Sequence, residues 1–441
     1  MSAVVEFPAK PEARDYLACF ARDITEPGWL AARRQQSMTR FAELGFPSRR
    51  SENWRYLDLQ PLQQHPLLPA RATATATDEA TLRRRLSAVS LPDGNSRLVL
   101  VDGRFSPALS NLKLPKGVWF GSMAQAMRDR ADLVQAAIED NAADSAHPFT
   151  ALNTAFFADG YVLDIAVELA LDRIIEIIHL GSGATAGSFH TRSLISLGNG
   201  ARARIVETYI GEGRYWRNDV VAVQLGTGAE LSRAVLVEEG IEAVHLAQVD
   251  ATLGTNSSFD GFALLLSGRR ARQEANVRIV GEGARCRLDG AFLVAGNDEA
   301  NIVTAVDHAA VGGRTRELIK GVAAGRGHGA FQGRIVVREH AQKTDAQQTS
   351  RNLIIGRRAV IDTKPELEIY ADDVKCAHGA TVGDLDEAAL FYLRARGIPD
   401  DEARQMLIEG FLREAVEEID DAAAREYLLR RLAARLARPE E

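Results

Sequence analysis

A parallel β-solenoid flanked by helical segments is the fold class this sequence predicts, on three observations. From about Tyr161 the chain breaks into short alternating runs bounded by glycine, among them YVLDIAVEL, RIIEIIHL, RSLISL, ARIVETYI, VVAVQL and GRIVVRE. The turns between them repeat: Leu197-Gly198-Asn199-Gly200-Ala201 returns as Leu225-Gly226-Thr227-Gly228-Ala229, Leu253-Gly254-Thr255-Asn256-Ser257 and Val280-Gly281-Glu282-Gly283-Ala284. The spacing is almost constant, with offsets of 28, 28 and 27 residues between the leading glycines, and Ile355 to Ala359 echoes the turn later. Such a period marks a solenoid, because one coil cannot bury its own apolar face and must stack on the next. A β-sandwich fits the strand lengths but not the period.

Residues 1–145 read as a mostly helical N-terminal domain, rich in Ala, Arg, Leu and Glu. Helical runs are expected at Trp29 to Leu44 and Met123 to Glu139, with an extended piece at Ser96 to Val101 between them. The polar repeat from Ala70 to Ala80 reads as a surface loop. Residues 146–383 form the solenoid core. Within it Gly181 to Gly187 has the wrong spacing for GxGxxG, and SFHTRSLISL after it is not helical, so the run is a solenoid turn.

Residues 384–441 change to a helical period and form a C-terminal helical domain. Asp384 with Glu387 resembles a capping box before the apolar run Ala388 to Leu393. Gly397-Ile398-Pro399 breaks that helix, and Asp400 or Asp401 is placed to cap the next. Met406, Leu407, Phe411, Ala415 and Ile419 make an apolar stripe at helical spacing, and a last amphipathic helix spans about Ala422 to Ala437.

Composition narrows the function. The net charge of −7 gives no global electrostatic attraction to nucleic acid or anionic membrane, so neither is expected as a partner. The basic runs Arg83 to Arg85 and Arg269 to Arg272 read as solvated faces. No stretch offers the roughly 18–20 apolar residues of a membrane span. Three widely spaced cysteines, Cys19, Cys286 and Cys376, argue against a disulfide framework, and with no signal peptide in view the expectation is a cytoplasmic protein. Without a GxxxxGK[ST] loop, no nucleotide is expected to be bound or hydrolysed by a motif of this chain.

The segment that points to chemistry is Pro365 to Gly383, PELEIYADDVKCAHGATVG. If Cys376 and His378 are extended, their side chains share one face and both can reach one metal ion. Two ligands do not close a site, since tetrahedral metals and iron–sulfur clusters ordinarily take four, and no CxxC, HxxxH or second Cys/His cluster supplies the rest. That pattern suggests a shared or transient site. Glu366, Glu368 and Tyr370 alternate with Leu367 and Ile369; as paired carboxylates they are acid/base or ligand candidates, but a solvated strand face is the commoner reading. Asp372 and Asp373 shape the turn before the cysteine. Cys19 and Cys286 read as structural.

The block from Gln342 to Gly383, QKTDAQQTSRNLIIGRRAVIDTKPELEIYADDVKCAHGATVG, and the following DLDEAALFYLRARGIPDDEARQMLIEGF closely resemble the SufD members of the SufB/SufD family. These are subunits of the SUF iron–sulfur cluster assembly machinery. The resemblance extends, less densely, to GFPSRRSENWRYLDL at Gly45 to Leu59. It implies a right-handed parallel β-helix core and a non-enzymatic scaffold subunit. It also implies a SufB-like paralogue as partner at the cluster-building interface and a SufC-like ATPase docked on the C-terminal helices. The family's functional histidine falls on His378, which with Cys376 becomes the candidate metal and cofactor ligand for a transient iron or iron–sulfur cluster. Arg351 and Asn352 belong to the same block and are expected to support the interface. A SufB-like primary scaffold is the nearest alternative, disfavoured by Cys376-Ala377-His378-Gly379. A polysaccharide-acting β-helix enzyme fits the low aromatic content poorly, and metal content of the isolated chain would test a stand-alone metalloprotein. Whether the isolated chain forms a homodimer is not decided by the sequence.

Overall fold

The computed structural model describes residues 10–20, 28–70, 77–92, 94–139, 147–184 and 186–437. From Tyr161 to Gly383 the chain alternates between two sheets, each strand pairing in parallel with the strand two steps on. One sheet has ten strands and ends at Lys375–Gly383; the other has nine and ends at Val360–Ile369. Gly187 pairs with Tyr215, Trp216 with Val244, and Arg202 with Glu230, so the sequence repeat is one coil. Alternate residues point inward and form one continuous apolar core from Leu98 through Ile177, Ile205, Leu231, Phe259 and Leu288 to Ala371.

The repeated turn has a backbone reason. Gly200, Gly228, Asn256 and Gly283 hold successive coils in the left-handed region at φ 68°, 67°, 54° and 69°. L side chains avoid that region, except for glycine and, at lower cost than most, asparagine. At the leading position the coils touch: a Cβ on Gly281 would lie 2.0 Å from the backbone nitrogen of Thr255. Most strands run 9–11 residues and exceed the apolar runs because several of them are polar, notably Asp345–Ile355, whose inward positions include Gln348, Ser350 and Asn352.

The N-terminal residues both begin and cover the solenoid. Ser96–Val101 pairs in parallel with Ile175–Gly181, and Val118–Ser122 pairs antiparallel with Tyr161–Ile165. Helix Gly28–Leu44 packs beside Pro148–Phe156, where Arg34 donates to the carbonyls of Ala155 and Phe157 at 2.9 and 2.8 Å. The single helix expected at Met123 to Glu139 is two, Met123–Asp129 and Ala131–Glu139, because the backbone leaves helical geometry at Arg130. Residues 71–76 of the polar repeat lie outside the described residues, as does Thr185 of the Gly181 to Gly187 run. Arg269 to Arg272 is not a solvated face: Arg272 is buried with its guanidinium 4.2 Å above Trp54, held by Glu274 at 2.7 Å.

Three C-terminal helices, Glu387–Ala395, Asp400–Val416 and Ala422–Leu436, follow the last coil. The first is capped by Asp386, which accepts from the amides of Ala388 and Ala389, rather than by Asp384. The second begins at Asp400 with Pro399 at its N-cap, so Asp400 and Asp401 are first-turn residues that favour the helix dipole instead of capping it. The apolar stripe divides. Ala415 and Ile419 pack with Leu412, Val416, Tyr427, Leu428 and Leu432 on the outer face of the ten-stranded sheet, against Leu236, Leu264 and Leu293. Each of the leucine, isoleucine and valine side chains contributes about 1.5–3 kcal/mol when fully buried. Met406, at the other end, is exposed. The helices therefore lie along the flank of the solenoid and leave its last coil open.

Candidate functional site at the open end

The last coil is the least covered part of the solenoid. Lys375–Gly383 pairs with Asp345–Ile355 on one side, and its other edge has no partner strand among the described residues. The same holds for Val360–Ile369 beyond His328–Val337. Each of the two sheets thus ends in a strand with free N–H and C=O groups along one edge, a template on which another chain can add strands.

Cys376 and His378 occupy the edge strand, in register with Ala346 and Gln348. Both partners are buried interior residues, so the cysteine and histidine share the inward-facing side of the terminal strand, as the alternation required. Cys376 is half-buried against the main core, and burial pushes its thiol above the ordinary range. It is therefore protonated at neutral pH, and ligation would release that proton. His378 is exposed, and its side chain makes no hydrogen bond or ion pair among the described residues. Among those residues no three His, Cys, Asp or Glu side chains form a cluster that could hold a metal ion.

Glu366 and Glu368 do not join this pair. Leu367 between them packs on the core, so both carboxylates face outward, Glu366 at 3.0 Å from Lys364 and Glu368 at 3.5 Å from Arg334. The turn before the cysteine is held from the previous coil, where Gln342 accepts from the Asp373 amide and Lys343 pairs with the Asp373 carboxylate. Asn352 is buried and donates to Ser350 and to the carbonyl of Thr381 on the edge strand, while Arg351 is exposed on the outer face. Cys286 lies in the solenoid core with its thiol pushed well up by burial; Cys19 is half-buried in helix Arg14–Phe20.

Beneath the edge strand runs a polar column that the motif search does not reach. Gln348, in register with His378, donates to Glu317 at 2.5 Å, and Thr304 donates to the same oxygen at 3.2 Å. Burial pushes the Glu317 carboxyl up to about 7. Deeper in the solenoid, Glu207 is enclosed by Arg233, His179, Tyr209 and Tyr161, and Glu239 by Arg217, Tyr215 and His245. The signal that could have found these clusters is the repeat itself: His179 with Glu207, Thr191 with Asp219 and His245 with Gln273 are each bonded at a separation of 28.

Comparison with known proteins agrees with this geometry. The family model described as "SUF system FeS cluster assembly, SufBD core domain" matches residues 179–411, and that of the SufBD protein N-terminal region matches residues 24–177. The chain is 30% identical over 404 residues to the iron-sulfur cluster assembly protein SufD of Escherichia coli, covering 91% of this chain and 92% of that one. It is 24% identical over 430 residues to SufD of Bacillus subtilis, covering 94% and 96%. It is also similar, at 27% identity and 86% and 81% coverage, to the chloroplastic protein ABCI7 of Arabidopsis thaliana. With both halves matched, a solenoid core, and a resemblance that runs nearly end to end, the chain belongs to the SufBD family of iron–sulfur cluster assembly proteins.

Proposed function

We propose that this chain is the SufD-type, non-ATPase scaffold subunit of a SUF assembly complex. Its open coil end joins the corresponding end of a SufB-type paralogue. His378 and Cys376 supply part of a ligand set that the paralogue completes, and iron or a nascent iron–sulfur cluster is the cargo. A ligand set divided between two chains suits a scaffold, because a closed four-ligand site would bind what the scaffold must release.

The observation that carries this reading is the pairing of an uncovered double strand edge with an exposed, unpartnered His378 beside Cys376 on one strand face. A second surface supports the ATPase contact. Phe391, Tyr392 and Met406 stand exposed on the C-terminal helices, outside the core cluster that holds Leu412 and Ala415. Exposed large apolar side chains of this kind are candidates for an association surface. The division into residues 1–145, 146–383 and 384–441 is proposed in the same sense, with the last segment as the ATPase-docking module.

The test is co-expression with SufB-type and SufC-type subunits, followed by iron and acid-labile sulfide measurement on the purified complex. His378→Ala is expected to leave assembly intact and lower cluster content several-fold. A complex with full cluster content would remove His378 from the chemistry, and failure to co-purify would overturn the partner assignment.

A further inference from the structure

The outer face of the ten-stranded sheet has two halves. The C-terminal helices cover the apolar half. The other half is an open groove of about 800 Å³ floored by arginines from successive coils and edged by Asp172 and Asp420. The strand register sorts these arginines into two rows. Arg202, Glu230, Ser258, Arg285, Arg314 and Asp345 form one row; Arg204, Ser232, Asp260, Arg287 and Arg316 form the other.

Most of these cations are already matched. Arg202 lies 3.5 Å from Glu230, and Arg204 lies 2.6 Å from Asp421. Arg287 is shared among Asp420, Asp260 and Asp289, and Arg316 lies 3.1 Å from Asp345. Arg285 and Arg314 are the exception. They are direct partners in the parallel ladder and both are exposed; Asp260 and Asp345 lie within coulombic reach of Arg285 and Arg314 respectively, but neither arginine makes a direct ion pair or side-chain hydrogen bond among the described residues. Adjacent strands are about 4.8 Å apart, so two like charges stand abreast, an arrangement that costs stability unless an anion lies between them.

We propose that Arg285 and Arg314 form a binding site for a phosphoryl dianion, either free phosphate or the phosphate end of a small ligand. Two guanidinium forks side by side match the geometry and the two charges of a phosphate, whereas a carboxylate neutralises only one. An acidic polypeptide is the poorer occupant. Along the groove it would meet Glu230, Asp260, Asp345 and Asp420 on either side of the free pair, and each repels a further carboxylate.

The test is calorimetric titration of the full chain at low ionic strength with inorganic phosphate, glycerol phosphate and a hexaglutamate peptide. Saturable binding of phosphate or glycerol phosphate is expected, the tighter of the two identifying the source. Arg285→Gln and Arg314→Gln should each weaken it at least tenfold, while Arg334→Gln on the other sheet leaves it unchanged. Without ligand, Arg314→Gln should melt no lower than wild type, since it relieves the like-charge contact, and this confirms that lost binding is not lost folding. Absence of saturable binding, wild-type affinity in either variant, or tighter binding of hexaglutamate than of either phosphate compound would overturn the proposal.

Discussion

His179 and Glu207 are 28 residues apart in the chain and 2.8 Å apart in the solenoid interior, each at most 1% exposed. The bond crosses one coil, so it reads the repeat in side chains rather than in backbone. Around it Arg233 reaches Glu207 at 2.6 Å, Tyr209 donates at 2.9 Å, and the His179 ring stacks on Tyr209 with centroids 4.2 Å apart. A parallel solenoid packed only with aliphatic residues could slip by a coil. A unique set of acid, base and phenol partners suits one register alone.

Arg233→Leu should destabilise the fold by about 3–5 kcal/mol, because it leaves a buried carboxylate short of its main cation. Burial pushes the Glu207 carboxyl upward, but Arg233 and His179 outweigh burial and hold it at about 2. The folded value lies below the unfolded one, so the stability it contributes is present above about pH 4.5 and is lost as pH falls toward 2. Urea unfolding of Glu207→Gln beside wild type should show a gap at pH 7 that closes as pH falls through that window. A gap independent of pH would exclude the ion pair as its source.

Glu317 should behave in the opposite sense. Its buried carboxyl titrates at about 7, above the unfolded value, so its cost is absent below about pH 4.5 and grows as pH rises to 7. Glu317→Gln, which imitates the protonated form, should match wild type at pH 4.5 and exceed it on the order of 2 kcal/mol at pH 8. Thermal melts at the two pH values measure this directly.

The two core-facing thiols should differ in access rather than in activation. Burial raises Cys376 moderately and Cys286 strongly. Iodoacetamide followed by mass spectrometry should label Cys376 of the folded chain more slowly than free cysteine at pH 7.5, with the rate still rising at pH 9. Cys286 should be labelled only after unfolding. Rapid labelling of Cys376 at neutral pH would show a thiolate already formed.

Phe391→Asp should weaken capture of a SufC-type ATPase at least tenfold and leave unfolding within about 0.5 kcal/mol of wild type, since the ring is 73% exposed. Pull-down paired with a thermal melt separates the two effects. Unchanged capture would move the ATPase contact elsewhere on the chain.

The glycine turns were legible because the left-handed column at Gly200, Gly228, Asn256 and Gly283 restricts residue choice at each coil. Strand Asp345–Ile355 was not, because its inward residues after Ala346 are the polar Gln348, Ser350 and Asn352, which carry no apolar alternation. Asp386 displaced Asp384 as cap, and Arg130 divided one expected helix, since helix ends depend on local backbone geometry that periodicity does not specify. At the site, alternation alone placed Cys376 and His378 on one face.

By itself, then, the sequence determined the solenoid, its period and the shared face of the cysteine and histidine, all of which follow from spacing along one chain. Only the tertiary structure decided that the C-terminal helices lie on the flank and leave the last coil uncovered. It alone turned Glu366 and Glu368 away from His378, set Gln348 and Glu317 beneath it, and left Arg285 beside Arg314 with no direct ion pair among the described residues. These are relations between coils, and stacking fixes them by bringing together residues about a period apart that no local pattern connects.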